Sequence, residues 1–130
     1  MSAPLESPTI SIVTPCYNSM PFLPRLHASM QRQTYRNFEW ITVDDKSKDA
    51  TIEMLLALTT PGSLGMKVYA LPQNSGGGVA TGVGVERACG EVLMIVDHDD
   101  ELEDFALQAV ADEWRVLHER TDLVGLFFRR

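Results

Sequence analysis

Residues 40–45 read Trp40-Ile41-Thr42-Val43-Asp44-Asp45, an apolar, β-branched run that ends in two carboxylates. The pattern returns at 92–100, which read Val92-Leu93-Met94-Ile95-Val96-Asp97-His98-Asp99-Asp100, and a third apolar run covers 10–14. Short runs of almost continuous apolar character are typical of parallel strands that are covered on both faces. Both aspartate groups are therefore predicted to follow the carboxyl ends of strands.

The segments between these runs carry apolar residues at helical spacing. The spacing predicts helices over 21–33, 50–58, 79–88 and 104–119, with further strands over 67–71 and 123–128. Strands that alternate with helices predict a parallel-sheet, Rossmann-like α/β/α sandwich with right-handed crossovers. Because no linker or repeat interrupts the sequence, residues 9–130 are expected to form a single domain behind a loose leader, 1–8.

Sheets of this kind bind ligands outside the carboxyl ends of their strands, near the point where the strand order reverses. Five aspartates are predicted at that edge, namely Asp44, Asp45, Asp97, Asp99 and Asp100. Two bare carboxylates about 6 Å apart repel each other by roughly 3 kcal/mol at an effective dielectric constant near 20. Such a cluster favours Mg²⁺ or Mn²⁺, which pair one or two carboxylates with substrate phosphates. The alternative is that these aspartates are ordinary turn formers and helix caps.

Three segments carry a more specific pattern. They read Ser11-Ile12-Val13-Thr14-Pro15-Cys16-Tyr17-Asn18, then Val43-Asp44-Asp45-Lys46-Ser47-Lys48-Asp49-Ala50-Thr51, and then Ala88-Cys89-Gly90-Glu91 leading to Asp97-His98-Asp99-Asp100. In this order they resemble the inverting family 2 glycosyltransferases of GT-A fold, and the resemblance covers residues 9–104. It implies a domain that binds a nucleoside-diphosphate sugar for transfer to an acceptor.

The resemblance assigns the base-binding side of the site. Pro15, Tyr17 and Asn18 match the loop that contacts the nucleobase, with the Tyr17 ring able to pack against a base or ribose face. Asp45 matches the second aspartate of the family's paired motif, whose carboxylate accepts a hydrogen bond from the base, typically the imide of uracil. Asp44 is then expected to be structural support.

The resemblance also assigns the metal side, because Asp97, His98 and Asp99 match the family's DxD motif. Asp97 is expected near the ribose hydroxyls or the metal shell, and Asp99 is expected to ligate a divalent ion, Mn²⁺ or Mg²⁺, that bridges the donor diphosphate. The middle position varies in the family, so His98 is expected to have a packing role. Asp100 has two interpretations, as a residue behind the metal ligands or as the N-cap of the next helix.

The glycine run 76–78, after Asn74 and Ser75, matches neither a P-loop nor a dinucleotide fingerprint and is interpreted as a flexible loop. The chain departs from the family pattern just beyond it. Members usually carry an alanine, a basic residue and an asparagine, whereas this chain has Ala80, Thr81 and Gly82. The basic residue expected at Thr81 is missing, and possible substitutes are more simply interpreted as surface charges, namely Lys46, Lys48 and Arg87.

With 130 residues, the chain is shorter than the family's catalytic unit. It is interpreted as the donor-binding half, with the acceptor site and the catalytic base outside it. The acids after Asp104 are most simply surface charges, namely Asp112, Glu113, Glu119 and Asp122. An uncovered apolar strand at 123–128 predicts self-association of the isolated domain through this terminal region.

Composition excludes several classes of protein. The 11 basic and 18 acidic residues give a net charge of −7, which disfavours nucleic-acid binding. No apolar stretch approaches the roughly 20 residues of a transmembrane helix. Cys16 and Cys89 form no metal-type pattern and are interpreted as small, mostly buried residues in a reducing cytoplasm, although the full-length protein could still be peripheral to a membrane.

The leading hypothesis is an inverting, metal-dependent glycosyltransferase donor domain, with a UDP-sugar favoured and a saccharide or lipid-linked acceptor undetermined. One alternative is a nucleotide-binding or regulatory module without chemistry, which the missing basic residue favours. The other is a sugar nucleotidyltransferase, which would need a glycine-rich loop with a basic residue after the first strand. Residues 15–18 do not provide that loop.

Overall fold

The computed structural model describes residues 9–59 and 64–117. In these ranges strands and helices alternate as β1 (Ile10–Cys16), α1 (Leu23–Gln31), β2 (Phe38–Asp44), α2 (Thr51–Leu58), β3 (Met66–Ala70), α3 (Gly77–Arg87), β4 (Val92–Ile95) and α4 (Ala106–Leu117). The elements predicted there are confirmed, including the weaker strand over 67–71. The predicted leader, 1–8, and the predicted strand and association surface at 123–128 lie outside the described residues.

The four strands form one parallel sheet in the order β3-β2-β1-β4. Ile10 of β1 is in register with Phe38 of β2 on one side and with Val92 of β4 on the other. The chain therefore steps outward from β1 to β3 and then crosses back to β4. This reversal makes a crevice between the carboxyl ends of β1 and β4, which is where such folds bind ligands.

The helices cover the two faces of the sheet unequally. One core cluster joins β1 and β2 to α1, α2 and α4, and it contains the fully buried Trp40, whose indole N–H donates to Thr14 Oγ1 at 2.9 Å. A smaller cluster joins Val13, Ile41 and Val43 to α3 on the other face. The connections from β1 to β2 and from β2 to β3 run one way across the sheet, and the connection from β3 to β4 runs the opposite way. Right-handed crossovers therefore put α1 and α2 on one face and α3 on the other.

The β4 strand departs from the expectation that every strand is covered on both faces. Val92 and Met94 pack against the larger core cluster, whereas Leu93 and Ile95 on the opposite face are 46% and 47% exposed. The reason is that α3 packs over β1 and β2, so within 9–59 and 64–117 no helix covers this face of β4.

The start of α3 also differs from the prediction. The helix begins at Gly77 rather than at residue 79, so only the first glycine of the run belongs to the loop. Gly76 has φ of 99°, a conformation that side chains disfavour, and it marks the turn into the helix. The interpretation of 76–78 as a flexible loop is therefore wrong for its last two glycines.

A buried carboxylate ties the strands together at the end of the sheet opposite the crevice. Glu39 accepts hydrogen bonds from Ser11 Oγ (2.5 Å), Lys67 Nζ (2.8 Å) and the backbone N–H of Cys89 (2.7 Å). Gly90 N donates to Ser11 Oγ at 2.8 Å. A Cβ at Gly90 would lie 2.5 Å from Thr9 O, so only glycine fits this close approach. The segment that leads into β4 is fixed in this way.

Glu39→Gln is expected to lower the free energy of unfolding by about 1–3 kcal/mol at pH 7, because it removes the charge behind these hydrogen bonds. Burial opposes ionisation of Glu39, but the hydrogen bonds from Lys67, Ser11 and Cys89 outweigh it and hold the pKa of the carboxyl below its usual value. Because the pKa of Glu39 is depressed in the folded state, its ionised form stabilises the protein at pH values above its unfolded pKa of 4.5. This stabilisation is lost as the pH falls through the folded pKa.

Urea unfolding between pH 7 and pH 3 measures this effect. The stability gap between wild type and Glu39→Gln should narrow as the pH falls. The matched control is Glu86→Gln, which changes an exposed glutamate on α3 and should be nearly neutral. A Glu39→Gln variant as stable as wild type at pH 7 would contradict the role of this carboxylate.

Candidate functional site

A cavity of about 520 Å³ opens at the carboxyl ends of the strands, beside the crevice between β1 and β4. Five of the six residues predicted to form the site line it: Pro15, Tyr17, Asp45, Asp97 and Asp99. Pro15 belongs to β1, Tyr17 and Asp45 directly follow β1 and β2, and the last two follow β4 by two and four residues. The fold therefore brings together residues that lie up to 84 positions apart in the sequence.

Asn18, the sixth predicted site residue, does not line the cavity in the structure. Its side-chain Oδ1 accepts a hydrogen bond from Lys48 N, and its own N–H donates to Ser47 Oγ, each at 2.9 Å. Asn18 has φ of 50°, in the left-handed region that asparagine tolerates better than most residues. Its visible role is to join the loop after β1 to the loop after β2.

The two aspartates that end β2 have different surroundings. Asp44 is buried and faces its own loop, where it accepts hydrogen bonds from Ser47 Oγ at 2.5 Å and from Ser47 N at 3.2 Å. It does not line the cavity. These contacts support the prediction that Asp44 is a structural residue.

Asp45 is only 3% exposed, and it organises one wall of the cavity. Its carboxylate accepts hydrogen bonds from Ser75 N at 2.7 Å, from Gly76 N at 2.9 Å and from Asn74 Nδ2 at 3.2 Å. A carboxylate has about four acceptor sites, so one remains for a ligand. Asp45 therefore fixes the loop before α3 and still reaches the cavity.

Asn74, Gly76 and Gly77 also line the cavity. The sequence did not predict that this loop forms one of its walls. The signal was present in the asparagine and glycines that precede a predicted helix. The sequence could not indicate the contact between Gly76 and Asp45, because these two residues lie 31 positions apart.

The acidic residues after β4 form a tight turn. Asp100 N donates to Asp97 O at 3.1 Å, and the Asp100 carboxylate accepts from Asp97 N at 3.1 Å. Since α4 begins only at Ala106, the interpretation of Asp100 as the N-cap of that helix is wrong. Asp100 stabilises the turn instead, while Asp97 and Asp99 remain exposed at the cavity.

The cavity side chains suit a hard divalent cation only if a bound ligand supplies further oxygen atoms to coordinate that cation. Across 9–59 and 64–117, no three His, Cys, Asp or Glu side chains converge in a preformed metal cage. Two exposed carboxylates, Asp97 and Asp99, face the cavity. One or two carboxylates completed by phosphate oxygens and water are the usual protein share of a Mg²⁺ shell.

No lysine or arginine lines the described part of the cavity wall, although the imidazole of His98 does. Arg87, considered as a substitute for the missing basic residue, has its guanidinium carbon 4.9 Å from the ring centroid of Tyr69. This cation–π contact keeps Arg87 on the α3 face of the sheet. The prediction that it is not a donor-binding residue agrees with this position.

Cys16 also touches the cavity, but its thiol is not activated. Burial, opposed in part by a hydrogen bond with Ser19 and assisted by the nearby Asp44 carboxylate, raises the pKa of the Cys16 thiol to about 12. A thiol with this pKa is almost entirely protonated at neutral pH and is a poor nucleophile. Cys89 is exposed, so the expectation that both cysteines are mostly buried is wrong for this one.

We therefore expect Ellman's reagent at pH 8 to modify one of the two cysteines rapidly in the native protein and both in guanidinium chloride. The fast thiol should be Cys89, because Cys16 is buried and protonated. A Cys89→Ser variant should show almost no native reaction. Rapid native modification of that variant would contradict the described environment of Cys16.

A parallel α/β sheet with a cavity at its strand-order reversal, lined by carboxylates and an exposed aromatic ring, is the arrangement of Rossmann-like α/β proteins, many of which bind nucleotides there. Residues 11–126 match the family model described as Glycosyl transferase family 2. The chain belongs to this family, which confirms the resemblance and the GT-A type of fold.

Relatives and solved structures agree with this assignment. An uncharacterized glycosyltransferase of Haemophilus influenzae is 33% identical over 96 residues, which are 74% of this chain and 38% of the relative. The structure of S. aureus TarS 1-349 in complex with UDP-GlcNAc superposes with a TM-score of 0.79 and 27% identity, over 94% of this chain and 37% of TarS 1-349.

A third similar protein is the mannosyltransferase PcManGT from Pyrobaculum calidifontis, solved with GDP-Man and Mn²⁺. Its TM-score is 0.74 at 25% identity, over 88% of this chain and 33% of PcManGT. In all three comparisons this chain spans less than two fifths of the matched protein. None of the helices described for this chain is long and apolar enough to cross a membrane.

Proposed function

We propose that this chain is the part of a family 2 glycosyltransferase that binds the nucleoside-diphosphate sugar donor. The observation that carries the proposal is the meeting of Asp45, Asp97 and Asp99 with Tyr17 in one cavity. The buried carboxylate of Asp45 suits the base of such a ligand, and the ring of Tyr17 suits a base or ribose face. The exposed carboxylate pair suits a metal ion that is also bound by the diphosphate. The UDP-GlcNAc complex of TarS supports this class of donor.

The base-binding end of the cavity lies between the loop after β1 and the loop before α3. The remaining acceptor site of Asp45 suits an N–H donor such as the imide of uracil. Tyr17 is 36% exposed, so its ring is available to pack against a base or ribose face, and Pro15 adds apolar surface beside it. Asn18 supports this loop from outside the cavity.

The diphosphate end lies at the turn after β4, where Asp97 and Asp99 are exposed. These two carboxylates would hold Mn²⁺ or Mg²⁺ together with phosphate oxygens. When bound, the ion neutralises the charge that develops on the departing nucleoside diphosphate. The Mn²⁺ in the PcManGT complex supports the use of such an ion in a similar fold.

We propose that the N-terminal turn of α3 partly replaces the missing basic residue, beside the Ser75 and Gly76 N–H groups that already donate to Asp45. Gly77, the first residue of α3, lines the wall, and the N-terminal turn of a helix carries partial positive charge. Anions bind readily at such a terminus. We therefore place the diphosphate between this helix end and the acidic turn, with Thr81 as the position where affinity is reduced relative to a basic residue.

The complete reaction needs residues beyond this cavity. We propose direct displacement of the nucleoside diphosphate by an acceptor hydroxyl, with inversion at the anomeric carbon, and a carboxylate base outside residues 9–117. The acceptor would be a saccharide or a lipid-linked saccharide. A cytoplasmic location suits the two free cysteines and remains a prediction.

Titration calorimetry in the presence of Mn²⁺ with UDP, UMP and GDP tests the donor class. We expect UDP to bind at least about tenfold more tightly than UMP, because the second phosphate adds oxygen ligands for the ion that Asp97 and Asp99 would hold. We expect UDP to bind more tightly than GDP by analogy with the UDP-GlcNAc complex of TarS, since the Asp45 carboxylate can accept a hydrogen bond from either base. Equal binding of UDP and UMP would contradict the diphosphate site. Tighter binding of GDP would redirect the proposal to a guanosine donor.

One observation favours a second function for this chain, a nucleotide-binding module without catalysis: the absence of lysine and arginine from the described cavity wall. A catalytic protein should hydrolyse a bound UDP-sugar slowly or transfer its sugar when the full-length protein is assayed. A module should bind the nucleotide equally well and release no free sugar. The two outcomes separate the alternatives.

A further inference from the structure

We infer that His98 is a positioning residue, which holds the acidic turn so that Asp97 and Asp99 face the cavity together. This inference rests on the proposed function, since the two carboxylates are its metal ligands. The sequence suggested only a packing role for the middle residue of the motif. The structure gives its ring two specific partners, Ser19 and Phe22.

The first contact is polar. His98 Nδ1 and Ser19 Oγ lie 2.5 Å apart and form a hydrogen bond, in which the donor depends on which ring nitrogen carries the proton. The second contact is a ring pair, because the His98 and Phe22 centroids are 4.7 Å apart with a 30° angle between the ring planes. Together they hold the imidazole at a fixed place beside the start of α1.

Ser19 is a rigid anchor because it is fully buried and its backbone is also bonded. Its N–H donates to Thr51 Oγ1 at 2.8 Å, and its carbonyl accepts from Phe22 N at 2.9 Å and from Leu23 N at 3.0 Å. Through this one residue His98 is connected to the first turns of both α1 and α2. The acidic turn is thus attached to the core of the domain.

A second attachment holds the other side of the same turn. Arg25 on α1 donates from Nη2 to the backbone carbonyl of Asp99 at 3.0 Å. Exposure then alternates along the turn, with Asp97 and Asp99 exposed and His98 and Asp100 partly buried. His98 and Asp100 fix the backbone of the turn, and the exposed carboxylates of Asp97 and Asp99 line the cavity beside the His98 ring.

Preorganisation is the physical reason that this attachment matters. The carboxylates of Asp97 and Asp99, two positions apart in the chain, repel each other, and an unattached turn would relax to separate them. A ligand would then have to order the turn at the moment of binding, which weakens its affinity. His98 therefore acts on the metal-dependent part of donor binding and leaves the base contact at Asp45 untouched.

The test measures UDP affinity with and without Mn²⁺ for His98→Ala, His98→Asn and His98→Gln. We expect His98→Ala to reduce the gain in affinity from Mn²⁺ by about tenfold and to change metal-free UDP affinity by a much smaller factor. Asparagine places a polar atom where Nδ1 lies and should restore part of the gain, whereas glutamine places its amide further out and should not. Ser19→Ala should add little to His98→Ala, because the two variants break the same contact.

Each outcome has a distinct meaning. A full Mn²⁺ gain in His98→Ala overturns the positioning role while the proposed function stands. Equal losses with and without Mn²⁺, or equal losses in the asparagine and glutamine variants, indicate general loosening and also overturn it. If wild type itself shows no gain from Mn²⁺, the metal site of the proposed function fails, and the role of His98 fails with it.

Discussion

Asp45→Ala is expected to weaken UDP binding by about 100-fold or more. The carboxylate is 3% exposed and holds the loop before α3 through three donors, so its loss would remove both the proposed base contact and the support of one wall of the cavity. Hydrogen bonds to a charged group contribute about 1.5–3 kcal/mol each, and 1.4 kcal/mol is a factor of ten in affinity. Calorimetric titration of UDP measures the change.

Asp44→Ala is the matched control for this variant. Asp44 is equally buried and also accepts two hydrogen bonds, but from Ser47 and away from the cavity. Both variants should lose stability, whereas only Asp45→Ala should lose UDP binding to this extent. Similar losses of affinity in the two variants would show that general loosening of the rim, rather than the position of Asp45, causes the effect.

Gly84→Ala is expected to lower the free energy of unfolding by about 2 kcal/mol, since overpacking a tight core usually costs 1–3 kcal/mol. A Cβ at Gly84 would lie 2.3 Å from Val13 Cγ1, and Val13 is fully buried in the central strand β1. The helix and strand must separate to admit the methyl group. Urea unfolding followed by circular dichroism gives the stability change.

Gly82→Ala provides the control within the same helix. A Cβ at Gly82 meets no atom within 4 Å, and alanine is about 1 kcal/mol more favourable than glycine inside a helix. This variant should be more stable than wild type by up to about 1 kcal/mol. Equal stability of the two alanine variants would contradict the close packing of α3 on β1.

The elements of the fold were predictable because each has a local signature. Continuous apolar runs marked β1, β2 and β4, and apolar residues at helical spacing marked the helices between them. The start of α3 was misplaced because glycine has low helix propensity, whereas here a loop fixed by Asp45 starts the helix. The exposed face of β4 could not be predicted, since strand order is not a local property.

The residues of the site were also predictable from local motifs, whereas the contacts that position them were not. Motif resemblance indicated Pro15, Tyr17, Asp45, Asp97 and Asp99, and the fold brings these five to one cavity. It did not indicate the contacts that place them, because Ser19 and His98 lie 79 residues apart and meet only after the sheet has formed. The side chain of Asn18 joins two loops and does not line the cavity, so its expected contact with the nucleobase stays a prediction.

We propose that Asp97 and Asp99 would hold a divalent ion together with oxygens of the donor diphosphate. UDP titration of wild type and Asp99→Ala, each with and without Mn²⁺, tests it most directly. Mn²⁺ should tighten UDP binding to wild type by at least about tenfold and should not tighten binding to Asp99→Ala. Equal affinity in all four titrations, or the same Mn²⁺ gain in both proteins, would contradict it.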